Sequence, residues 1–214
     1  MAHLKRQKVP KNWPIKRKGT TFIVKPLSNT SFGIPVLIIL RDVLKLAKTK
    51  KEVKKALHSK NILLNGKVVK DERTNAVLFD VISILPSKKY YKIDLSAKGK
   101  FDVKEIKEIE SHKKIVKIID KKTLKGKKIQ LNLKDGRNFL SEIECKVKDS
   151  VLINFKDKKI EKCIPLKEKA KAFVIAGKHS GKIGIIEKIK DKMVELKIEK
   201  NKINILTKQL MVLE

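Results

Sequence analysis

Between Pro35 and Val69 the spacing of apolar residues changes period twice, and each change predicts an element. Val36 to Leu40 is an apolar block, and Leu37, Leu40, Leu44 and Ala47 then recur at helical spacing on one face. Arg41, Lys45 and Lys48 keep the same spacing on another face. Thr49 and Glu52 form a Thr-x-x-Glu capping box, which predicts a fresh helix start. That second helix is expected to bury Val53, Ala56 and Leu57 and to show Lys51, Lys54, Lys55 and His58 to water. Ile62 and Leu64 lead into Asn65-Gly66 and then Lys67 to Val69. Asn-Gly between two β-prone runs predicts a hairpin, because both residues tolerate positive φ. The unit reads as two short helices and a hairpin, apolar inside and cationic outside.

Beyond this unit the pattern turns to strands. Val77 to Leu85 predicts one or two strands that close the small sheet, with Pro86 ending them. Residues 87–166 read mainly as β. Lys114 to Ile119 is strand-like, and Lys127 to Leu133 puts Ile129, Leu131 and Leu133 on one side with Lys128, Gln130 and Asn132 on the other. Asp135-Gly136 supplies a turn, and Val151 to Phe155 is a further strand before the charged turn Lys156 to Lys159. Val103 to Ser111 fits a strand followed by a short helix without deciding between them. In residues 167–214, the strand Ala172 to Ile175 precedes a glycine loop from Gly177 to Gly184. The strand Ile185 to Ile189, a turn at Asp191-Lys192 and the strand Met193 to Ile198 follow. Short strands at that spacing predict a small barrel. Residues 1–34, interrupted by Pro10, Pro14 and Pro26, cannot bury enough surface to fold alone. The expected architecture is α+β and multi-domain: a basic arm at 1–34, the helix–helix–hairpin domain at 35–86, a central β domain at 87–166, and a small barrel at 167–214.

Charge gives this pattern a direction. The chain of 214 residues carries 54 basic against 23 acidic residues, a formal +31. A surface so positive repels itself and is expected to work beside a polyanion, with nucleic acid ahead of an acidic membrane. Apart from Arg6, Arg17, Arg41, Arg73 and Arg137 the basic residues are lysines. Lysine is a hydrated point charge, so phosphate contacts are favoured over base readout. Trp13, the single tryptophan, either stacks on a base or anchors the arm to the body. Because the arm cannot fold alone, deleting residues 1–18 is expected to leave the folded body intact. In the glycine loop, Gly177 lets backbone N–H groups approach a phosphate, with Lys178 and Lys182 adding charge.

Few residues carry a chemical signature. Cys145 and Cys163 lie 18 positions apart with no Cys-x-x-Cys pair, which predicts two reduced thiols rather than zinc. His3, His58, His112 and His179 lie in separate segments without metal-ligand spacing. No phosphate-binding P-loop and no nucleophile elbow is present. Neither a membrane span nor a secretory signal is evident, which points to a cytoplasmic protein. No catalytic residue, metal, cofactor or small-molecule substrate is expected.

At this point the residues resemble a known family, the small-subunit ribosomal proteins usually called S-four-e, found in archaeal and eukaryotic ribosomes. The resemblance rests on His3-Leu4-Lys5-Arg6 with Pro10 and Trp13, then Leu37 to Arg41 with Leu44-Lys45. It continues through Thr49 with Glu52 to Lys55, Gly66 to Val68, Asp80 to Ile84, Asp135 to Arg137 and the glycine run from Gly177. It implies an S-four-type RNA-binding domain, a central β domain and a C-terminal KOW-type, SH3-like barrel. It also implies structural binding to small-subunit ribosomal RNA beside neighbouring ribosomal proteins, without catalysis. Members often continue beyond the position where this chain stops, Glu214, so contacts made by such a tail are not expected. Lys178-His179-Ser180 stands where the family often has small or amide residues, which argues against specific readout by that loop. The residues expected to touch RNA are Lys5, Arg6, Lys8, Trp13, Arg17, Arg41, Lys45, Lys51, Lys54, Lys55, Lys67, Gly177, Lys178 and Lys182. The competing readings are an RNA-modifying enzyme that docks through the same helical unit and a translation or transcription factor that binds through the barrel.

Overall fold

The computed structural model describes residues 3–141, 143–190, 192–198 and 201–213, and the backbone but not the side chain of Lys127. The expected turn residue Asp191 and the terminal Glu214 lie outside the described residues. The chain divides into two compact units, Met1–Ser96 with Lys100–His112, and Ala97–Gly99 with Lys113–Glu214.

In the first unit, β1 (Leu4–Lys5) pairs antiparallel with β2 (Phe22–Ile23). β3 (Gly33–Pro35) leads into α1 (Val36–Ile38), which continues as a π-helical turn over Ile39–Val43. The expected helix to Ala47 stops sooner. Lys45 takes a left-handed φ of 55°, and the Leu46 N–H bonds back to the Leu40 carbonyl, closing the end. α2 (Lys50–His58) starts where expected, on a complete Thr49–Glu52 capping box. Val53 and Leu57 are buried on its inner face. β4 (Ile62–Leu64) and β5 (Lys67–Val68) form the expected hairpin, with Asn65 and Gly66 both at positive φ.

The run from Val77 to Leu85 is two strands rather than one. β6 (Asn75–Val77) pairs with β3, and β7 (Val81–Ile84) pairs with β4. Phe79, at φ 63°, makes the break. β8 (Lys89–Leu95) and β9 (Phe101–Ile106) extend the same sheet, in the order β5-β4-β7-β8-β9, past Pro86. A 3-10 turn at Glu108–His112 resolves the open reading of Val103 to Ser111 as strand then short helix.

Trp13 belongs to this core. It is 2% exposed, and its indole N–H donates to the Gly33 carbonyl at 3.0 Å. Next to it, the Phe101 N–H donates to the Asn12 carbonyl. This corrects the expectation that residues 1–18 can be removed without cost: burying a tryptophan is worth several kcal/mol, on the order of the ~3–5 lost in Trp→Ala changes.

In the second unit, β10 (Lys113–Thr123), β11 (Ile129–Leu133), β12 (Asn138–Ser141), β13 (Ser150–Asn154) and β14 (Lys159–Ile164) make an antiparallel sheet ordered β12-β11-β10-β13-β14. Val116, Ile118, Leu131, Leu133, Val151 and Ile153 form its core, so the alternation of β11 reads as expected. β15 (Lys171–Val174), β16 (Ile183–Lys190), β17 (Met193–Ile198), β18 (Asn201–Leu206) and β19 (Leu210–Val212) form a second antiparallel sheet. Its last strand returns beside β15. The two sheets share the unit: the Val212 N–H donates to Ser150 Oγ at 3.0 Å, and Ile115 packs with Ile164 onto the core of the second sheet.

Candidate nucleic-acid interface

The lysines of α2 separate into two groups. Lys50 and Lys54, four residues apart, both reach the buried carboxylate of Glu72, at 3.0 and 3.7 Å. Burial pushes the Glu72 carboxyl up, but the Lys50 hydrogen bond, a backbone N–H and the two lysine charges outweigh it and hold it below the ordinary carboxylate value. Lys51, Lys55 and His58 are exposed, and no carboxylate stands within ion-pair distance of them among the described residues. Lys67 on the hairpin and Lys45 after the first helix are likewise exposed.

The hairpin that carries Lys67 is held from inside. Asn65 is buried; its amide N–H donates to Asp80 at 2.8 Å, and its amide oxygen accepts from the Val81 N–H at 2.9 Å. The turn residue therefore also fixes the hairpin to the neighbouring strand, which the turn motif alone did not reveal.

Three expected contacts are already engaged within the protein. The Arg41 guanidinium makes two bonds to the Asp42 carboxylate, at 2.8 and 3.1 Å. Arg6 donates to the Lys16 carbonyl, the Thr20 carbonyl and Thr20 Oγ1, all within 2.8 Å, so it staples a loop instead of projecting outward. Trp13 presents no free ring. Lys5, Lys8 and Arg17 remain exposed on the same segment, with Lys16 and Lys18 beside them. Sequence reasoning passed over Phe22, which is 52% exposed, with the His3 ring 5.3 Å away.

Part of the glycine loop's backbone is already engaged. The N–H groups of Ser180, Gly181 and Lys182 bond to the carbonyls of Gly177, Val174 and His179, so they are spent on the loop's own fold. Gly177 sits at φ 95°, a left-handed backbone conformation that favours glycine. Lys178 is exposed and Lys182 partly so, so both can add side-chain charge there.

Cys145 and Cys163 are free thiols, and Cys163 is pushed up to about 12 by burial, by the Cys145 thiol and by the Asp149 charge. No three His, Cys, Asp or Glu side chains gather in metal-binding geometry among the described residues. Among the described residues, no helix is long and apolar enough to cross a membrane.

Fold and surface together define a β-rich protein that sets exposed lysines on fixed elements. The Ribosomal family S4e model matches residues 87–160, and the RS4NT (NUC023) domain matches residues 2–28. A small ribosomal subunit protein eS4 from Methanocella arvoryzae is 38% identical over 191 residues, covering 88% of this chain and 81% of its own. The eS4 protein of Nanoarchaeum equitans is also 38% identical over 191 residues, covering 87% and 82%. The crystal structure of the 30S ribosomal protein S4e from Thermoplasma acidophilum is similar with a TM-score of 0.73 at 25% identity, over 85% of this chain and 94% of that one. The chain belongs to the ribosomal S4e family.

Proposed function

We propose that this protein is a structural constituent of the small ribosomal subunit, where it binds ribosomal RNA through its basic surfaces beside neighbouring ribosomal proteins. The observation that carries the reading is the set of lysines on α2 and the β4–β5 hairpin, Lys51, Lys55 and Lys67, which stand exposed on elements fixed by a capping box and a buried asparagine. Rigid presentation matters because a phosphate contact then gains charge–charge attraction and counterion release without ordering a flexible chain. The names of the eS4 relatives support the placement in the small subunit. Family membership supports a structural role over catalysis.

At finer grain, the helix–helix–hairpin of residues 35–86 acts as an S-four-type RNA-binding domain, with β8 and β9 extending its sheet beyond the expected boundary at 86; the β10–β14 sheet forms the central β domain expected within 87–166, and residues 167–214 act as a KOW-type, SH3-like barrel, preceded by the basic arm at 1–34. The helix–helix–hairpin order supports the first assignment. The five-stranded sheet whose last strand returns beside β15 supports the last. Lys5, Lys8, Arg17, Lys45, Lys51, Lys55, Lys67, Lys178 and Lys182 contact phosphates directly. Arg6, Arg41, Lys54 and Gly177 shape the surface. Sucrose-gradient sedimentation tests the reading: the protein is expected to stay with small subunits through a high-salt wash. Quantitative release at moderate potassium overturns it.

A further inference from the structure

The first acidic residue in the chain is Asp42, so everything before it is cationic or neutral. Within that segment the β1–β2 ribbon leaves a large apolar ring in water. Phe22 is 52% exposed, although an apolar side chain of that size gains by burial. Directly across the ribbon from Phe22 is Lys5, and the His3 ring leans on it with centroids 5.3 Å apart and planes at 46°. Cross-strand partners project from the same face, so ring, ring edge and ammonium form one small surface. The neighbouring pair Leu4 and Ile23 is half-buried instead.

The ribbon is held before any partner arrives. Arg6 binds the Lys16 and Thr20 carbonyls and the Thr20 hydroxyl, and its own N–H donates to the Thr21 carbonyl. Thr20 Oγ1 in turn donates to the Phe22 carbonyl at 3.2 Å. The staple also gathers the exposed Lys16, Arg17 and Lys18 into the same loop. With Trp13 committed to the core, the exposed phenylalanines among the described residues are Phe22 and Phe32, and Phe22 is the one with a ring beside it and a lysine opposite.

We propose that Phe22, backed by His3 and flanked by Lys5, is a stacking platform for an unpaired RNA base. An aromatic face next to a lysine matches a nucleotide, whose base offers a π face and whose phosphate offers a charge at short range. A purely apolar protein patch would cover Phe22 but leave the surrounding lysines and Arg17 unanswered. The platform is sequence-tolerant, because every base has a π face. This inference rests on the RNA-binding reading above.

The test is filter binding of the full chain to transcribed small-subunit ribosomal RNA across a salt series, with Phe22→Leu, Phe22→Tyr and Lys5→Gln compared to wild type. Phe22→Leu keeps an exposed apolar side chain, so its melting transition should match wild type. Its affinity should fall about 5- to 100-fold, the range for losing one base–aromatic stack. Its salt slope should not change, because no phosphate contact is lost, whereas Lys5→Gln should lower the slope by roughly 0.7 to 0.9. Phe22→Tyr should bind as wild type. If Phe22→Leu also binds as wild type, the stacking proposal fails while the RNA reading stands. If wild type itself ignores the RNA, both fail. If Phe22→Leu binds naked RNA normally but enters subunits poorly when the other small-subunit proteins are present, the ring docks on protein and the proposal is overturned.

Discussion

Helix α2 and strand β10 are both lysine-rich, yet they use lysine in opposite ways. On α2, Lys51 and Lys55 stand in water, while Lys50 and Lys54 on the adjacent face, though still partly exposed, pair with Glu72. On β10, Lys114 and Lys117 are buried. The Lys114 and Asp135 side chains, 1% and 4% exposed, meet at 3.0 Å. Lys117 donates to the carbonyls of Thr207 and Leu210, just before and at the start of β19. A formal +31 is therefore not a uniform coat for RNA. Part of it is structural, because a buried ammonium persists only where carboxylates or carbonyls replace the water it lost.

The largest effect expected from this contrast is at Asp135. Asp135→Asn removes the carboxylate beside Lys114 and should cost about 3–5 kcal/mol of stability, the usual result of breaking a buried pair from one side. Chemical denaturation reads it; a loss under about 1 kcal/mol would mean that the pair is a surface interaction after all. RNA affinity per folded molecule should be unchanged.

Next is the division within α2. Lys51→Glu with Lys55→Glu should leave the melting temperature nearly unchanged and lower the salt slope of RNA binding by roughly 1.4 to 1.8, two contacts at about 0.7 to 0.9 each. Lys50→Gln with Lys54→Gln should instead leave the slope near wild type and release the Glu72 clamp. Equal slope changes in the two double variants would abolish the distinction between the faces.

The smallest effect concerns pH. Burial, with Lys134 and Lys148 nearby, pushes the Lys117 ammonium down to about 8. The unfolded chain keeps an ordinary lysine near 10.5, so from pH 8 upward it holds more protons than the folded one, and stability rises with pH. Above about pH 9 Cys163 opposes the trend, because its thiol ionises only in the unfolded chain. Unfolding free energy should therefore rise between about pH 8 and 9, by at most roughly 1.4 kcal/mol per unit from this lysine. Lys117→Met should remove that contribution. A rise of the same size in the variant would assign the effect to other groups.

Some of these features were legible in the residues and some were not, and the border follows the range of the forces involved. The Thr49–Glu52 box, the Asn65-Gly66 turn and the alternation of Ile129, Leu131 and Leu133 involve neighbours within a few positions, and the fold uses each as expected. The first helix was overextended. Apolar spacing continues to Ala47, but the backbone loosens to a π-helical turn at Ile39–Val43 and reverses at Lys45. The spacing of apolar residues says which face is buried, not where the next packing partner ends the element. Residue type and spacing leave Trp13 open between a base and the protein body and say nothing of the internal partners of Arg6 and Arg41; the bonds to Gly33, Thr20 and Asp42 come from the fold.

By itself the amino-acid sequence determined the polyanion-seeking charge, the capped helix, the hairpin and the β-rich remainder, because composition and short-range pattern carry those. Only the tertiary structure decided which lysines face outward. That choice depends on carboxylates and carbonyls from distant parts of the chain, Glu72 for α2, Asp135 for Lys114 and the Thr207–Leu210 segment for Lys117. A lysine's environment, not its identity, sets whether its charge is offered to a partner or consumed by the fold.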